Sequence, residues 1–290
     1  MGGYILTRLS RLWVVLIPAL LATFLLDSLG AFLTGNVGYD GRWHGLLSSG
    51  PGLGADSLDL SLVSLLGNVL FLQTIFVPVF GTNGPLWSLA NEFWYYLMFP
   101  FVAIALHQRS VRAGLGAVIV VGGVATLSPI IASGFLFWLM GWLATIIGRP
   151  SRRLVFGNLV AVTMVFGASI GGAKLLNGFA SDFVVAVGVM MLLVALPAVQ
   201  FRSRLMVKAA VGLSNMSYSL YLFHFPFVSF CWFVWFAPRQ LLPGISGYTE
   251  FLVCLLVTLL YCLLMWWLFE RHTGRVRHAL RSARASWRSR

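Results

Sequence analysis

The sequence predicts an all-α polytopic membrane protein with about 8 transmembrane helices and one re-entrant or interfacial helix over residues 60–80. Of its 290 residues, 59% are hydrophobic and 10% are charged, and the mean hydropathy is +0.88. Average soluble domains carry about 25% charged residues, so a soluble globule of this length could not bury so much apolar surface. The same composition excludes a disordered chain, which would need low hydrophobicity and high charge.

The individual transmembrane helices are predicted from apolar runs, because a spanning helix needs about 20 mainly apolar residues. The runs that qualify are Leu12–Leu33, Leu86–Leu106, Val111–Leu127, Phe135–Ile147, Leu154–Gly171, Phe183–Val199, Tyr218–Phe236 and Phe251–Phe269. The fourth run is short, so its helix is expected to include flanking residues. The first run is longer than the hydrophobic region of a secretory signal, which has about 7–15 residues, so it is expected to remain as a membrane anchor.

The distribution of positive charge indicates that residues 60–80 do not cross the membrane. Cytoplasmic loops of membrane proteins accumulate Lys and Arg. If the eight runs cross and this segment does not, one side of the membrane receives all 20 basic residues except Arg42, Lys174 and Arg239. A ninth crossing would place the first basic pair opposite the three basic clusters that follow it. We therefore expect a multi-pass protein of the cell (inner) membrane, with both termini in the cytoplasm.

The net charge of +12 is explained by this sidedness, and nucleic acid is not expected as a partner. Residues 271–290 form a basic cytoplasmic tail, which is predicted to lie on anionic lipid headgroups as a surface helix or as a disordered arm. The three cysteines lie inside apolar runs without metal-ligand spacing. They are therefore predicted to be apolar fillers, and no metal is expected.

A carboxylate lies inside the second run, where a charge costs about 2.5–3.5 kcal/mol at the centre of a spanning helix. This residue, Glu92, is about 9 Å along the helix from its predicted start. Ser88 lies one turn before it on the same face, Trp87 lies at the predicted interface, and Asn83 lies in the preceding turn. Glu92 is predicted either to act as a general acid or base facing an outer cavity, or to bond neighbouring helices as a structural group. Asp27, two-thirds of the way out along the first run, is predicted either to reach the outer interface or to be a functional residue.

A second polar stretch contains His224, the only histidine inside a predicted transmembrane run. Ser217, Tyr221 and His224 line one stripe of the helix, and Tyr218 lies beside them. His224 is predicted either to bond a neighbouring helix or to take part in catalysis or gating.

A third stretch contains Arg8 and Arg11, which share one face at the predicted cytoplasmic end of the first helix because they are three residues apart. Two guanidinium groups in this position suit the phosphates of a soluble cofactor or of a lipid headgroup. Simple anchoring of the helix by positive charge explains them equally well.

These three stretches, in this order, resemble motifs of the membrane-bound acyltransferase-3 family. Residues 8–12 fit its Arg-x-x-Arg-[Leu/Ile] pattern, and residues 83–100 fit Asn-x-Pro-x-Trp-Ser-Leu-x-x-Glu-x-x-[Phe/Tyr]-Tyr-x-x-Phe-Pro. Residues 217–226 fit Ser-Tyr-Ser-Leu-Tyr-Leu-x-His-x-Pro. The second and third motifs are long and specific, whereas Arg-x-x-Arg alone is not. The resemblance covers essentially the whole chain and implies a transmembrane acyltransferase-like domain over residues 1–270.

The resemblance implies transfer of an acyl group, most often acetyl, from cytoplasmic acyl-CoA to a hydroxyl of an extracytoplasmic glycan or glycolipid. It implies that Arg8 and Arg11 hold the CoA phosphates and that Glu92 and His224 lie at the reaction. The residues then expected to line the cavity are Asn83, Trp87, Ser88, Tyr218 and Tyr221. Acyl-CoA as donor, the acceptor and membrane lipids are the expected partners.

One motif of the family is missing. The resemblance implies two further helices before residue 1, the first with an Arg-x(10)-His motif whose histidine is the proposed catalytic base. The residues eleven positions before the five histidines are Leu33, Tyr96, Leu213, Tyr261 and Trp267. The chain is therefore expected to be N-terminally truncated, and whether it is active alone is left open. The alternatives are an inactive fragment or a partner subunit completed by a chain that supplies the missing helices, and a transporter of lipid-linked glycans.

Overall fold

The computed structural model describes residues 2–41, 58–147, 155–195, 203–237 and 241–288. Within these ranges the helices are α1 (Gly2–Thr34), α2 (Leu62–Val69), α3 (Leu86–Gln108), α4 (Val111–Leu127), α5 (Pro129–Ile147), α6 (Val155–Ala173), α7 (Phe179–Ala195), α8 (Arg204–Cys231), α9 (Ile245–Leu268) and α10 (Thr273–Arg288). Helix α8 continues as a π-helix over Trp232–Phe236, and a 3₁₀ turn over Glu270–His272 links α9 to α10.

The predicted fold class, an all-α polytopic membrane protein, is confirmed. Among the described residues, five helices are long and apolar enough to cross a membrane: α1, α3, α5, α8 with its π-helical extension, and α9. Three further apolar helices are shorter: α4, residues Val162–Ala173 of α6, and α7. Helix α5 begins at Pro129 and so includes flanking residues, as expected for a short run. Proline suits this first helical position because its missing N–H is not needed there.

The stretch at residues 60–80 contains a helix that is too short to span. Helix α2 has 8 residues, about 12 Å of length, whereas a bilayer core is about 30 Å thick. The predicted helix was longer, and the difference comes from Asn68, which is fully buried. Its amide nitrogen donates to Pro78 O at 2.9 Å, and its amide oxygen accepts from Phe80 N at 3.3 Å. These bonds turn the chain back against α2 instead of letting the helix continue.

The chain forms two compact units, Met1–Ala117 with Val211–Arg290, and Val118–Ala210. In the second unit α7 packs against α6 and α5. A Cβ at Gly188 would lie 2.3 Å from Ser169 Oγ, so α6 and α7 approach closely through small residues. All the predicted site residues belong to the first unit.

A buried carboxylate holds the turn before α3 against α1 in the first unit. Asp27 is fully buried, and its two oxygens accept from Thr82 N at 2.8 Å and from Thr82 Oγ1 at 2.7 Å. Gly81 has φ +56, and a Cβ there would lie 2.2 Å from Asp27 Oδ2. Neither sequence interpretation included this contact, in which the Asp27 carboxylate fixes the position of the residues that lead into α3.

Parts of the predicted topology lie outside the described residues. These parts are segment 42–57 of the outer loop and the predicted inner-loop residues Arg149, Arg152, Arg153 and Arg202. The basic tail, for which a surface helix and a disordered arm were both open, forms helix α10 up to Arg288.

Candidate active site

A cluster of arginine and tyrosine side chains forms where the beginning of α1 meets α3 and α8. The Arg8 guanidinium carbon lies 5.5 Å from the ring centroid of Tyr4 and 5.0 Å from that of Tyr96. The Arg11 guanidinium carbon lies 5.5 Å from the ring centroid of Tyr218. Guanidinium groups at these distances are attracted by the negative ring faces. We call these five residues, together with Glu92, the arginine–tyrosine cluster.

Glu92 is the carboxyl group of this cluster. It is half-buried and accepts a hydrogen bond from the Tyr96 hydroxyl, one turn further along α3. It also interacts electrostatically with Tyr4 of α1 and Tyr218 of α8. The structure therefore brings Arg8, Arg11 and Glu92 together, although the sequence placed the arginines and the carboxyl group towards opposite sides of the membrane. The antiparallel packing of α1 and α3 explains this, since Arg8 reaches Tyr96, which is ten residues into α3.

The Tyr218 hydroxyl is a buried polar group without a hydrogen-bond partner in the described part of the chain. A buried hydroxyl without a hydrogen-bond partner lowers the stability of the protein by about 1–3 kcal/mol. The hydroxyl interacts with both the Glu92 carboxyl group and the Arg11 guanidinium group. An oxygen of a ligand that accepts from this hydroxyl would supply the missing partner.

Ser88 and Tyr221 form a second polar contact, between the first turn of α3 and α8. Their hydroxyl groups are hydrogen-bonded to each other. Pro85 O lies 3.2 Å from Ser88 Oγ and 3.4 Å from Tyr221 Oη, and it accepts from whichever hydroxyl does not donate to the other. Tyr221 is 38% exposed, so this contact is accessible. Trp87 lies half-buried beside it in the first turn of α3.

Asn83 links the turn before α3 to α1 and to α8. It is fully buried, and its amide nitrogen donates to Thr23 Oγ1 of α1 and to Leu222 O of α8, both at 3.0 Å. Its amide oxygen has no partner among the residues that the structure describes. The two hydrogen bonds of the Asn83 amide nitrogen therefore hold the start of α3 against α1 and α8. The amide oxygen remains available to accept a hydrogen bond.

His224 lines a groove of about 540 Å³ between α8, its π-helical extension and α9. Apart from the polar groups Ser217, Tyr221, His224 and Thr258, its walls are apolar, among them Val228, Trp232, Phe251 and Leu255. The Nδ1 atom of His224 lies 2.8 Å from Leu220 O and 3.0 Å from Tyr221 O. Since carbonyl oxygens only accept, Nδ1 carries a proton, and the lone pair of the neutral ring is on Nε2.

Glu92 and His224 belong to different features of the first unit. Glu92 accepts from Tyr96, whereas the contacts of His224 are with backbone carbonyls of α8, so a cavity shared by Glu92 and His224 stays a prediction. Six residues separate Tyr218 from His224 along α8, so their side chains point about 120° apart around the helix. Tyr218 therefore faces the arginine–tyrosine cluster while His224 faces the groove.

Sequence reasoning did not select three residues that complete these features. Tyr4 lies four residues before Arg8, and Tyr96 lies four residues after Glu92, so helical spacing alone could have found them. Glu270 is nearly buried, and its Oε2 accepts from Ser219 N at 2.8 Å and from Ser219 Oγ at 2.6 Å. This last contact joins the 3₁₀ turn after α9 to α8. The position of Glu270 at the inner end of the last apolar run marks it in the sequence, but no sequence pattern pairs it with Ser219.

Comparison with protein families identifies the chemistry. The model of a family described as "Acyltransferase domain" matches residues 1–267. The chain belongs to the acyltransferase-3 family. The match covers α1 to α9, including both polar features, so acyl transfer is the general reaction that this acyltransferase-3 domain supports. Neither a search of curated proteins nor a search of solved structures found a match.

An acyltransferase-3 domain needs a group that takes the proton of the acceptor, donors that stabilise the oxyanion and a place for the acyl donor. The described residues offer a carboxyl group at Glu92, an imidazole lone pair at His224 and a buried hydroxyl at Tyr218. Two guanidinium groups, Arg8 and Arg11, lie beside the carboxyl group and the buried hydroxyl.

Proposed function

We propose that this acyltransferase transfers an acyl group, normally acetyl, from cytoplasmic acyl-CoA to a hydroxyl of an extracytoplasmic glycan or glycolipid. The observation that carries the proposal is the arginine–tyrosine cluster. In it Arg8 lies over the ring of Tyr96, and Arg11 lies over the ring of Tyr218, whose buried hydroxyl has no partner in the described part of the chain. Guanidinium groups suit the phosphates of acyl-CoA, and the pantetheine arm would carry the thioester away from them into the membrane domain.

The proposed donor site is at the beginning of α1. Arg8 is half-buried and Arg11 is exposed, and both place a guanidinium plane near an aromatic ring. A guanidinium group that contacts a ring face keeps its in-plane N–H donors for phosphate oxygens. With Glu92 engaged by Tyr96, the two arginines are the groups of the cluster that remain suited to the CoA phosphates.

The proposed reaction is a nucleophilic substitution at the thioester carbonyl. A base takes the proton of the acceptor hydroxyl, the oxygen attacks the carbonyl carbon, and a tetrahedral oxyanion forms. Collapse of this intermediate breaks the C–S bond, and the proton passes from the base to the CoA thiolate. Glu92 and His224 are the proposed acid–base groups, and the hydroxyl of Tyr218 is the proposed donor to the oxyanion, with Tyr221 and Ser88 further along the path.

The acceptor is proposed to approach from the outer side, where α3 begins. Asn83, Trp87 and the pair Ser88–Tyr221 lie in or next to the first turn of this helix. An accessible hydroxyl pair, with an unused amide oxygen nearby on Asn83, suits the hydroxyl groups of a sugar. In the proposed orientation both termini are cytoplasmic, which is the side that the distribution of positive charge favours.

The experiment that tests the proposal separates binding from transfer. The full chain is purified and reconstituted in proteoliposomes, binding of acetyl-CoA is titrated, and transfer of labelled acetyl to an added glycan or glycolipid is measured. We expect binding that weakens at least about tenfold in the double variant Arg8→Gln/Arg11→Gln, since contacts to charged groups contribute about 1.5–3 kcal/mol each. The matched control is Arg109→Gln/Arg112→Gln, which removes two exposed arginines, one directly after α3 and one in the first turn of α4.

Each outcome has a distinct meaning. Binding and transfer by the wild type support the proposal in full. Binding without transfer, with transfer restored by a chain that carries an Arg-x(10)-His helix, supports the alternative of a partner subunit, which the missing motif favours. Absence of acetyl-CoA binding by the wild type overturns the proposed donor.

A further inference from the structure

The C-terminal helix α10 lies beyond the part of the chain that matches the family, which ends at residue 267. Residues 271–290 contain no Asp or Glu. Their arginines are Arg271, Arg275, Arg277, Arg281, Arg284, Arg288 and Arg290. The family match therefore assigns no role to the most positively charged segment of the protein.

This helix does not extend away from the transmembrane helices but packs against α1. Arg281 Nη2 donates to Thr7 Oγ1 at 2.8 Å. The Thr7 hydroxyl itself donates to Gly3 O at 2.8 Å, so its proton is already used and its lone pair receives the guanidinium N–H. The partner of Arg281 is thus a neutral hydroxyl, which fixes the position of the side chain without neutralising its charge.

The contact brings a third guanidinium group to the end of α1 that carries the other two. Thr7 directly precedes Arg8 and lies one helical turn before Arg11. Arg281 is exposed, so the N–H groups that do not point at Thr7 can reach a ligand from solvent.

The carboxyl groups of this region are occupied by other partners. Glu92 accepts from the Tyr96 hydroxyl, and Glu270 accepts twice from Ser219. On α10, Arg277 lies one turn before Arg281 on the same face and adds a further positive charge. A group of guanidinium side chains whose neighbouring carboxylates are engaged elsewhere is chemically suited to an anion with several oxygens, which is a phosphate.

We propose that α10 and the beginning of α1 together form a phosphate-binding site in which Arg281 is the anchoring residue. The phosphate belongs either to the nucleotide part of acyl-CoA, in which case the inference rests on the proposed function, or to the headgroup of an anionic lipid. Arg281 would then extend the donor site from α1 to a helix outside the family match, or attach that helix to the membrane surface.

The test compares two arginines of the same helix in the full chain. Arg281→Gln removes the proposed anchor, and Arg275→Gln is the matched control, since it lies six residues earlier and points about 120° away around α10. Binding of coenzyme A and of adenosine 3′,5′-bisphosphate is titrated on one arm. Binding of short-chain phosphatidylglycerol, compared with short-chain phosphatidylcholine, is titrated on the other.

We expect Arg281→Gln to weaken binding at least about tenfold on one arm, and Arg275→Gln to weaken it less than about twofold. The nucleotide arm identifies CoA as the source of the phosphate, and the lipid arm identifies the headgroup. Thr7→Val, which keeps every charge and removes only the hydroxyl that positions Arg281, is expected to weaken the same arm about threefold.

Equal losses in Arg281→Gln and Arg275→Gln overturn the site, because a diffuse positive surface would explain them. Unchanged binding in Arg281→Gln on both arms overturns it as well. Failure of the wild type to bind coenzyme A counts against the donor proposed above, and the lipid arm then decides the site alone.

Discussion

Arg11 of α1 lies over the ring of Tyr218 of α8, with 5.5 Å between its guanidinium carbon and the ring centroid. This contact joins the first and the third motif of the family, which lie near opposite ends of the chain. It also gives the two parts of the tyrosine different tasks. The ring holds the arginine, and the buried hydroxyl, which has no partner among the described residues, is left for a ligand.

Tyr218→Phe separates these two tasks because phenylalanine keeps the ring. We expect KM for acetyl-CoA to stay within about twofold of the wild type, while kcat falls about 10²- to 10³-fold through loss of an oxyanion donor. Steady-state kinetics in proteoliposomes measure both. Tyr248→Phe, at an exposed tyrosine near the start of α9, is the control. A raised KM with unchanged kcat would show that the hydroxyl serves binding instead.

Glu92→Gln removes a carboxylate but keeps an oxygen that can accept from Tyr96. We expect the rate of acyl transfer to fall at least about 10²-fold, the loss typical of a missing acid–base group, while the protein keeps its melting temperature. Glu250→Gln, whose wild-type residue bonds Ser246 within α9, provides the control. Wild-type transfer by Glu92→Gln would leave this residue with a structural role only.

His224→Gln removes the imidazole lone pair, while the new amide can still donate to Leu220 O. If Nε2 is the base, transfer falls about 10²-fold and acetyl-CoA binding does not change. The rates of this variant and of Glu92→Gln, measured in the same assay, identify which of the two groups takes the proton. His107→Gln, at an exposed position at the end of α3, controls for removal of a histidine. A His224→Gln variant with full activity would confine His224 to the packing of α8.

Gly81→Ala tests the buried clamp between Asp27 and Thr82. Gly81 and Gly178 both have φ +56, but a Cβ at Gly81 would lie 2.2 Å from Asp27 Oδ2, whereas a Cβ at Gly178 meets nothing within 4 Å. Gly178→Ala therefore lowers stability only through backbone strain, by about 1–2 kcal/mol. Gly81→Ala also disturbs the hydrogen bonds between Asp27 and Thr82. We expect a clearly larger fall in Tm for Gly81→Ala, measured by thermal unfolding in detergent. Equal falls would mean that the carboxylate moves aside without cost.

The transmembrane helices were predictable because a bilayer imposes a minimum apolar length, and the number of consecutive apolar residues can be counted in the sequence. The polar stretches of α3 and α8 were predictable for the same reason, since Glu92 and His224 interrupt apolar runs. Their partners along one helix follow from helical spacing, as for Glu92 and Tyr96. The length of α2 was not predictable, because it depends on Asn68 bonding to residues 78–80 after the chain has turned back.

Composition and periodicity thus specified a helical membrane protein, its apolar segments and the polar residues available for chemistry. Which of those residues meet was settled by how the helices pack: Arg11 on Tyr218, Asp27 on Thr82 and Arg281 on Thr7 are contacts between distant parts of the chain. Apolar periodicity carries little information about the rotation of one membrane helix against another, since lipid and neighbouring helices are equally apolar. Close packing and buried hydrogen bonds set that rotation, and with it which side chains of α8 face the arginine–tyrosine cluster and which face the groove.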